Sequence, residues 1–158
     1  SFEKTNLRSI FNDLASDMKI AAEDKHLDFS SSVDGDGEFL VYGDTTKLKQ
    51  VFLNLIDNSI KYTKEGFVKV ILAKDTLGGI LFSVTDSGIG VTEETKKTLF
   101  KKFVGGEGKG LNGGGSGLGL YLAEEIVKAH KGTISVTSDG AGKGSTFSVM
   151  LPSFIATE

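Results

Sequence analysis

The sequence predicts an α/β fold of the α+β kind: a two-layer sandwich in which helices cover one face of a mixed, largely antiparallel sheet. Three observations predict it. Apolar residues recur at helical spacing in three long segments. Strand-like segments come in neighbouring pairs joined by turn-forming residues. The strict alternation of strand and helix that a doubly wound parallel sheet requires is missing. The 158 residues suit one domain, which we assign to 1–158.

The first half of the chain predicts a helix, two strands and a second helix. Thr5 is a candidate cap for the first helix, whose inward positions are Leu7, Ile10, Phe11, Leu14, Met18 and Ala21. Strands are expected near Leu27–Ser32 and Phe39–Tyr42, with turn-forming residues between them. Asp44 is a candidate cap for a longer helix with the apolar stripe Leu48, Val51, Phe52, Leu55, Ile56 and Ile60.

The second half predicts two hairpins, two helices and a glycine-rich loop. The hairpins are expected over 67–85 and 133–151. A short helix is expected from about Glu93 to Lys102. The loop 104–116 contains seven glycines in thirteen residues, so it has little to bury. A helix follows it, with Gly132 expected at its C-terminal end and an apolar stripe of Leu120, Leu122, Ala123, Ile126 and Val127.

Composition excludes several classes of function. The net charge of −3 provides no basic field to hold nucleic acid. Cysteine is absent, which excludes disulfides and thiol chemistry. Only two histidines are present, and we expect both His26 and His130 to lie at the surface without a catalytic role. No apolar run approaches membrane-spanning length, so we expect no direct membrane contact by this domain.

Polar residues lie along one stripe of the second predicted helix. Asn54, Asn58 and Lys61 are four and three residues apart, with Tyr62 at the edge of the stripe. Asparagine is a mediocre helix former, so two of them inside a helix need a reason. One interpretation is that the Asn58 amide oxygen binds Mg²⁺, with Lys61 near a phosphate and Tyr62 against a base. The alternative is a solvated polar face.

Asp86 follows a predicted strand and precedes Ser87-Gly88. A carboxylate accepts hydrogen bonds and cannot donate them, so it can bind the exocyclic amine of adenine and repels the carbonyl oxygen of guanine. Gly88 and Gly90 would let the backbone approach a bound ring closely. The alternative interpretation is an ordinary turn after a strand.

A glycine cluster opens the last predicted helix. Free N–H groups, the positive helix end and the lack of side chains make such a segment suitable for phosphate. Glycine costs about 1 kcal/mol relative to alanine inside a helix, which argues against an incidental loop. The cluster consists of Gly115, Ser116, Gly117, Leu118, Gly119 and Leu120.

In combination these segments resemble the catalytic, ATP-binding domain of sensor histidine kinases, part of a wider ATPase and kinase group with the Bergerat nucleotide-binding fold. The resemblance covers essentially the whole chain. Five segments are similar, in order, to the family's N box, G1 box, F box, G2 box and closing G3 segment: 54–63, 86–90, 99–103, 115–120 and 142–147.

The resemblance implies a role for each matched position. Asn58 would be the Mg²⁺ ligand, with Asn54 beside it near the phosphates. Asp86 would bind adenine, with Thr146 supporting that contact or its water. Residues 104–116 would form the mobile ATP lid, and Gly115 to Leu120 would hold the triphosphate. The other residues implied to bind ATP are Lys61, Tyr62, Gly88, Ile89, Gly90 and Phe103.

Two departures from the family pattern define what we expect of the chain. Val104 follows Phe103 where many members carry a basic residue, and Lys102 or Lys109 is the candidate substitute. No phosphoacceptor motif surrounds His26 or His130. The resemblance therefore implies a piece of a longer cytoplasmic or membrane-anchored kinase, whose partners are a helical phosphoacceptor and dimerisation domain and a response regulator.

Four activities are compatible with these residues. The leading one is transfer of the γ-phosphate of Mg-ATP to a histidine on that partner domain. An ATP hydrolase of the gyrase type is less favoured, because such enzymes place a water-activating glutamate where this chain has Asn54, which cannot act as a base. An anti-sigma-type serine kinase is the third activity, and nucleotide sensing by binding alone is the fourth.

Overall fold

The computed structural model describes residues 1–101 and 118–154. Its helices and strands follow one another in the order β1 Glu3–Asn6, α1 Leu7–Asp24, β2 Asp28–Asp34, β3 Leu40–Gly43, α2 Thr45–Lys61, β4 Phe67–Lys74, β5 Gly79–Asp86, α3 Glu93–Lys96, α4 Leu118–Ala129, β6 Thr133–Thr137 and β7 Ser145–Pro152. No helix in this part of the chain is both long and apolar enough to cross a membrane.

The predicted mixed sheet is confirmed. In the described part of the chain, five strands form this sheet in the order β2-β4-β5-β7-β6, and only the β2–β4 pair is parallel. Both predicted hairpins form, β4 with β5 and β6 with β7. The strand β1 was not predicted, because its four residues are mostly polar; it pairs with β3 in a separate two-stranded sheet.

The cap of α1 differs from the prediction. Asn6 is the N-cap: its Oδ1 accepts hydrogen bonds from the backbone N–H groups of Arg8 and Phe39, both at 3.1 Å. Thr5 lies in β1 instead, where its buried hydroxyl donates to the Gly43 carbonyl at 3.2 Å. The amide oxygen of Asn6 accepts from one N–H in the helix and one in the loop before β3, which explains why Asn6 rather than Thr5 is the N-cap.

The helix α2 begins as predicted, with the Asp44 carboxylate accepting from the Lys47 N–H at 3.1 Å. The helix α3 is shorter than predicted. Beyond Lys96 the chain makes hydrogen bonds to the third preceding residue, from Thr98 to Thr95 and from Lys101 to Thr98, so it continues as turns rather than as α-helix.

The end of α4 also departs from expectation. Lys131, with φ of 62°, takes the left-handed conformation, and Gly132 donates its N–H to the Val127 carbonyl at 2.9 Å. Glycine is required at 132 for another reason: a Cβ there would lie 2.4 Å from the Met150 carbonyl oxygen.

His130 is buried, so the prediction that it lies at the surface was wrong. Its Nδ1–H donates to the Ile126 carbonyl at 2.7 Å, and its Nε2 accepts from the Asp44 N–H at 3.0 Å. These partners require the neutral ring, and the histidine joins the end of α4 to the start of α2. His26 is exposed, as predicted.

The core lies between the sheet and the helices α1, α2 and α4. At its centre Phe52 of α2 stacks on Phe82 of β5, with ring centroids 4.0 Å apart, and Phe11 of α1 meets the same ring edge-on at 6.1 Å. Burial of each such side chain is worth roughly 1.5–3 kcal/mol. This packing fixes α2 against β5, which positions the candidate site at their ends.

Candidate nucleotide-binding site

A cavity of about 350 Å³, part of it open to solvent, lies between α2, the end of β5, the start of α4 and the start of β7. Most of its wall is apolar, with a few polar side chains directed inward, as in small-molecule sites generally. The lining consists of Asn58, Ser59, Tyr62, Asp86, Ile89, Gly90, Val91, Leu99, Leu120, Ser145 and Phe147.

Among the described residues that line this cavity, Asp86 is the only acidic one, and it is 6% exposed. Its Oδ1 accepts from the backbone N–H of Gly88 at 2.9 Å, and its Oδ2 faces the Ser145 hydroxyl at 3.4 Å. Each carboxylate oxygen has two lone-pair directions, so these contacts fix the group while leaving it able to accept a further hydrogen bond. A ligand with an amine suits this position.

Among the described residues, Thr146 makes no hydrogen bond with Asp86. It lies beside Thr85 on the other face of the sheet, with the two hydroxyl oxygens 2.9 Å apart, and it lines an open groove rather than the cavity. The side chains of a strand alternate between faces, so Ser145 shares the inner face with the buried Phe147 and Thr146 does not. Ser145, rather than Thr146, is therefore the residue of β7 that lies beside the Asp86 carboxylate.

The segment 88–90 is held between α2 and the loop before β7. Ile89 lines the cavity, and its N–H donates to the Tyr62 carbonyl at 3.1 Å. Gly88 lies behind Asp86 and not in the lining: a Cβ there would be 2.4 Å from the Tyr62 carbonyl oxygen. Gly90 has φ of 75°, and its Cβ would meet the Gly140 carbonyl oxygen at 2.1 Å. Both positions therefore require glycine because two segments of the chain approach each other closely there, whereas we had expected the approach of a bound ring.

The polar stripe of α2 divides into three environments. Asn58 and Tyr62 line the cavity, and burial raises the pKa of the Tyr62 phenol. Asn54 lies nearer α4, where its Nδ2 donates to the Gly119 carbonyl at 3.4 Å. Lys61 is exposed, is absent from the lining, and approaches Asp57 at 3.9 Å.

Part of the glycine cluster begins α4. Leu120 is buried and lines the cavity, and Gly119 is half-buried beside Asn54. The helix starts at Leu118, whose side chain lies outside the described part of the structure. Gly115, Ser116, Gly117, Phe103 and the predicted lid 104–116 also lie outside the described residues.

Sequence reasoning missed five residues of the lining: Ser59, Val91, Leu99, Ser145 and Phe147. The aromatic ring of Phe147 is braced edge-on by Phe100 at 6.2 Å. Strand alternation could have identified Ser145 and Phe147 as inward-facing, and helical position could have placed Ser59 beside Asn58. Val91 and Leu99 carry no local pattern that separates them from core residues.

Comparison with known proteins agrees with this geometry. Residues 43–154 match the family described as histidine kinase-, DNA gyrase B-, and HSP90-like ATPases. The chain is 34% identical over 148 residues to the sensor-like histidine kinase SenX3 of Mycobacterium tuberculosis, covering 93% of this chain and 35% of that protein. It is 39% identical over 113 residues to sporulation kinase C of Bacillus subtilis, covering 72% of this chain and 25% of that protein.

Solved structures show the same fold. The catalytic domain of the histidine kinase ThkA, in a nucleotide-free form, superposes with a TM-score of 0.80 at 26% identity, covering 96% of this chain and 95% of that one. Full-length ShkA in complex with AMPPNP gives a TM-score of 0.84 at 25% identity, covering all of this chain and 32% of that one.

The chain spans about a third or less of the length of these curated relatives. The predicted α/β fold and the resemblance to a histidine-kinase catalytic domain are confirmed. The chain belongs to the family of histidine kinase-, DNA gyrase B- and HSP90-like ATPases.

Proposed function

We propose that this domain binds Mg-ATP and transfers the γ-phosphate to a histidine on a separate helical phosphoacceptor domain, in two-component signalling. A response regulator would then receive the phosphate. The family is one of ATPases, and the relatives of this chain are longer proteins named as histidine kinases, which supports the assignment.

One observation carries the proposal: Asp86 at the end of β5 and Asn58 on α2 line the same cavity beside the start of α4. Asp86 would accept from the 6-amino group of adenine, with Ile89, Leu99 and Phe147 against the ring. The triphosphate would then extend toward the first turn of α4, whose N–H groups favour anions.

Asn58 is suited to holding Mg²⁺ with the phosphates. It lines the cavity, and within residues 1–101 and 118–154 its side chain has no hydrogen-bond partner, so its amide oxygen is available. Magnesium prefers oxygen ligands and usually retains water and phosphate oxygens. When bound, it would neutralise charge on the β- and γ-phosphates during transfer.

Asn54 favours transfer over hydrolysis. Its amide cannot accept a proton from water, and its Nδ2 already donates to Gly119. A neutral imidazole has a nucleophilic nitrogen lone pair, so an in-line acceptor histidine needs no base to attack. The lack of a base at position 54 therefore hinders hydrolysis more than transfer, because most of the catalysis is positioning and charge neutralisation.

The test uses γ-labelled ATP with the domain alone and then with a purified phosphoacceptor domain. We expect little phosphate release from the domain alone and acid-labile label on the partner's histidine, which Asn58→Ala abolishes. Rapid phosphate release by the domain alone would establish the hydrolase. Acid-stable label on a partner serine would establish the anti-sigma type of kinase. Binding without either reaction would leave a nucleotide sensor.

A further inference from the structure

Ser59 carries a buried hydroxyl that the protein does not satisfy. The residue is 3% exposed, and its Oγ has no hydrogen-bond partner among the described residues. A buried hydroxyl without a partner costs about 1–3 kcal/mol, and such groups in folded proteins nearly always have one. A helical serine often bonds back to the carbonyl four residues earlier, but Ser59 does not.

The position of Ser59 indicates where a partner would come from. It lines the cavity next to Asn58, on a wall that also contains Tyr62 and Asp86. Among the described residues, Thr63 carries the other buried hydroxyl without a partner, but it lies against Gly88 and is absent from the cavity lining. Of these two hydroxyls, only that of Ser59 belongs to a cavity-lining residue.

We propose that Ser59 is a specificity-determining residue: its hydroxyl donates a hydrogen bond to a ring nitrogen of adenine, beside the amine that Asp86 accepts from. A hydroxyl donates one proton and rotates to suit its partner, which matches a ring nitrogen acceptor. Asp86 can only accept. The two residues together would recognise a donor and an acceptor on the same base. This proposal rests on the proposed function, since it requires an adenine nucleotide in the cavity.

The first experiment compares wild type with Ser59→Ala. Alanine keeps the helix and removes only the oxygen, so the nucleotide-free domain should melt at the same or a higher temperature. We expect ATP to bind about five- to tenfold more weakly by calorimetry. Ser83→Ala is the matched control, because Ser83 is also buried but lies outside the cavity lining; its ATP affinity should not change.

The second experiment identifies the contact with two analogues, 1-deaza-ATP and 7-deaza-ATP, each of which replaces one ring nitrogen by C–H. Wild type should bind one of them about five- to tenfold more weakly than ATP, and Ser59→Ala should not distinguish that analogue from ATP. If wild type binds no adenine nucleotide, the proposed function fails. If wild type binds ATP and Ser59→Ala binds it equally tightly, or if both analogues lose affinity equally in both proteins, the role of Ser59 is overturned.

Discussion

The carboxylate of Asp86 and the hydroxyl of Ser145 face each other across the adjacent strands β5 and β7, with 3.4 Å between their oxygens. The second carboxylate oxygen is held by the Gly88 N–H at 2.9 Å. A buried anion fixed in this way is an oriented acceptor, and its orientation is set by the protein before any ligand binds. Nucleotide selectivity in this domain should therefore depend on Asp86 first.

We predict that Asp86→Asn weakens ATP binding by at least tenfold and reduces the preference for ATP over GTP. The amide presents a donor where adenine also presents one, and it no longer repels the guanine carbonyl. Isothermal titration with both nucleotides measures the effect. Asp13→Asn, on the exposed side of α1, is the control and should bind as wild type does. Equal affinity of the wild-type domain for ATP and GTP would refute the assignment.

Adjacent positions on β7 should behave differently. Ser145→Ala removes a contact to the Asp86 carboxylate, so we expect ATP affinity to fall about three- to tenfold. Thr146→Ala removes a contact to Thr85 on the opposite face, so we expect affinity to stay within about twofold and only stability to change. Calorimetry and thermal melts on both variants separate the two effects. A larger loss of affinity for Thr146→Ala would contradict the orientation of β7.

Two glycines with nearly the same backbone conformation should differ in tolerance to alanine. Gly90 and Gly142 have φ of 75° and 77°, but only at Gly90 would a Cβ meet backbone, at 2.1 Å from the Gly140 carbonyl oxygen. We expect Gly142→Ala to cost about 1 kcal/mol from left-handed strain and Gly90→Ala about 3 kcal/mol or more. Urea unfolding gives both values. Equal losses of unfolding free energy in the two variants would show that the left-handed backbone conformation alone explains the need for glycine at position 90.

Much of the fold was predictable because its signals are local. Asp44 caps α2 as expected, since a carboxylate three residues before a free N–H is a short-range pattern. The pairing of β1 with β3 and the parallel pairing of β2 with β4 each join segments that are distant in the sequence. Such a pairing leaves no periodic pattern in either of the two strands, so the sequence did not predict it. His130 was misplaced for the same reason, because its partner Asp44 is 86 residues away.

The predicted site residues Asn58, Tyr62, Asp86 and Ile89, for which chemistry and spacing agreed, line one cavity, and their roles toward a nucleotide stay predictions. Thr146 was assigned a role that its strand parity does not allow, since Phe147 already shows which face is inside. Lys61 was placed near phosphate by helical spacing and by the resemblance, but it is exposed and absent from the cavity lining, so its contact with phosphate stays a prediction. Residues on one face of a helix cover more surface than the cavity does, so their spacing alone cannot determine which of them reach a ligand in the cavity.

The position at which an ATP analogue binds tests the proposed nucleotide site most directly. Two concave regions meet at Asp86 and Ser145: the cavity beside α2, and a polar groove on the open face of the sheet lined by Thr85, Thr137 and Thr146. A titration of ¹⁵N-labelled domain with Mg²⁺ and a non-hydrolysable ATP analogue distinguishes them by chemical-shift change. We predict the largest changes at the 89–91 amides and the Asn58 side-chain amide. Changes centred on Thr85, Thr137 and Thr146, with Asn58 unaffected, would contradict the account.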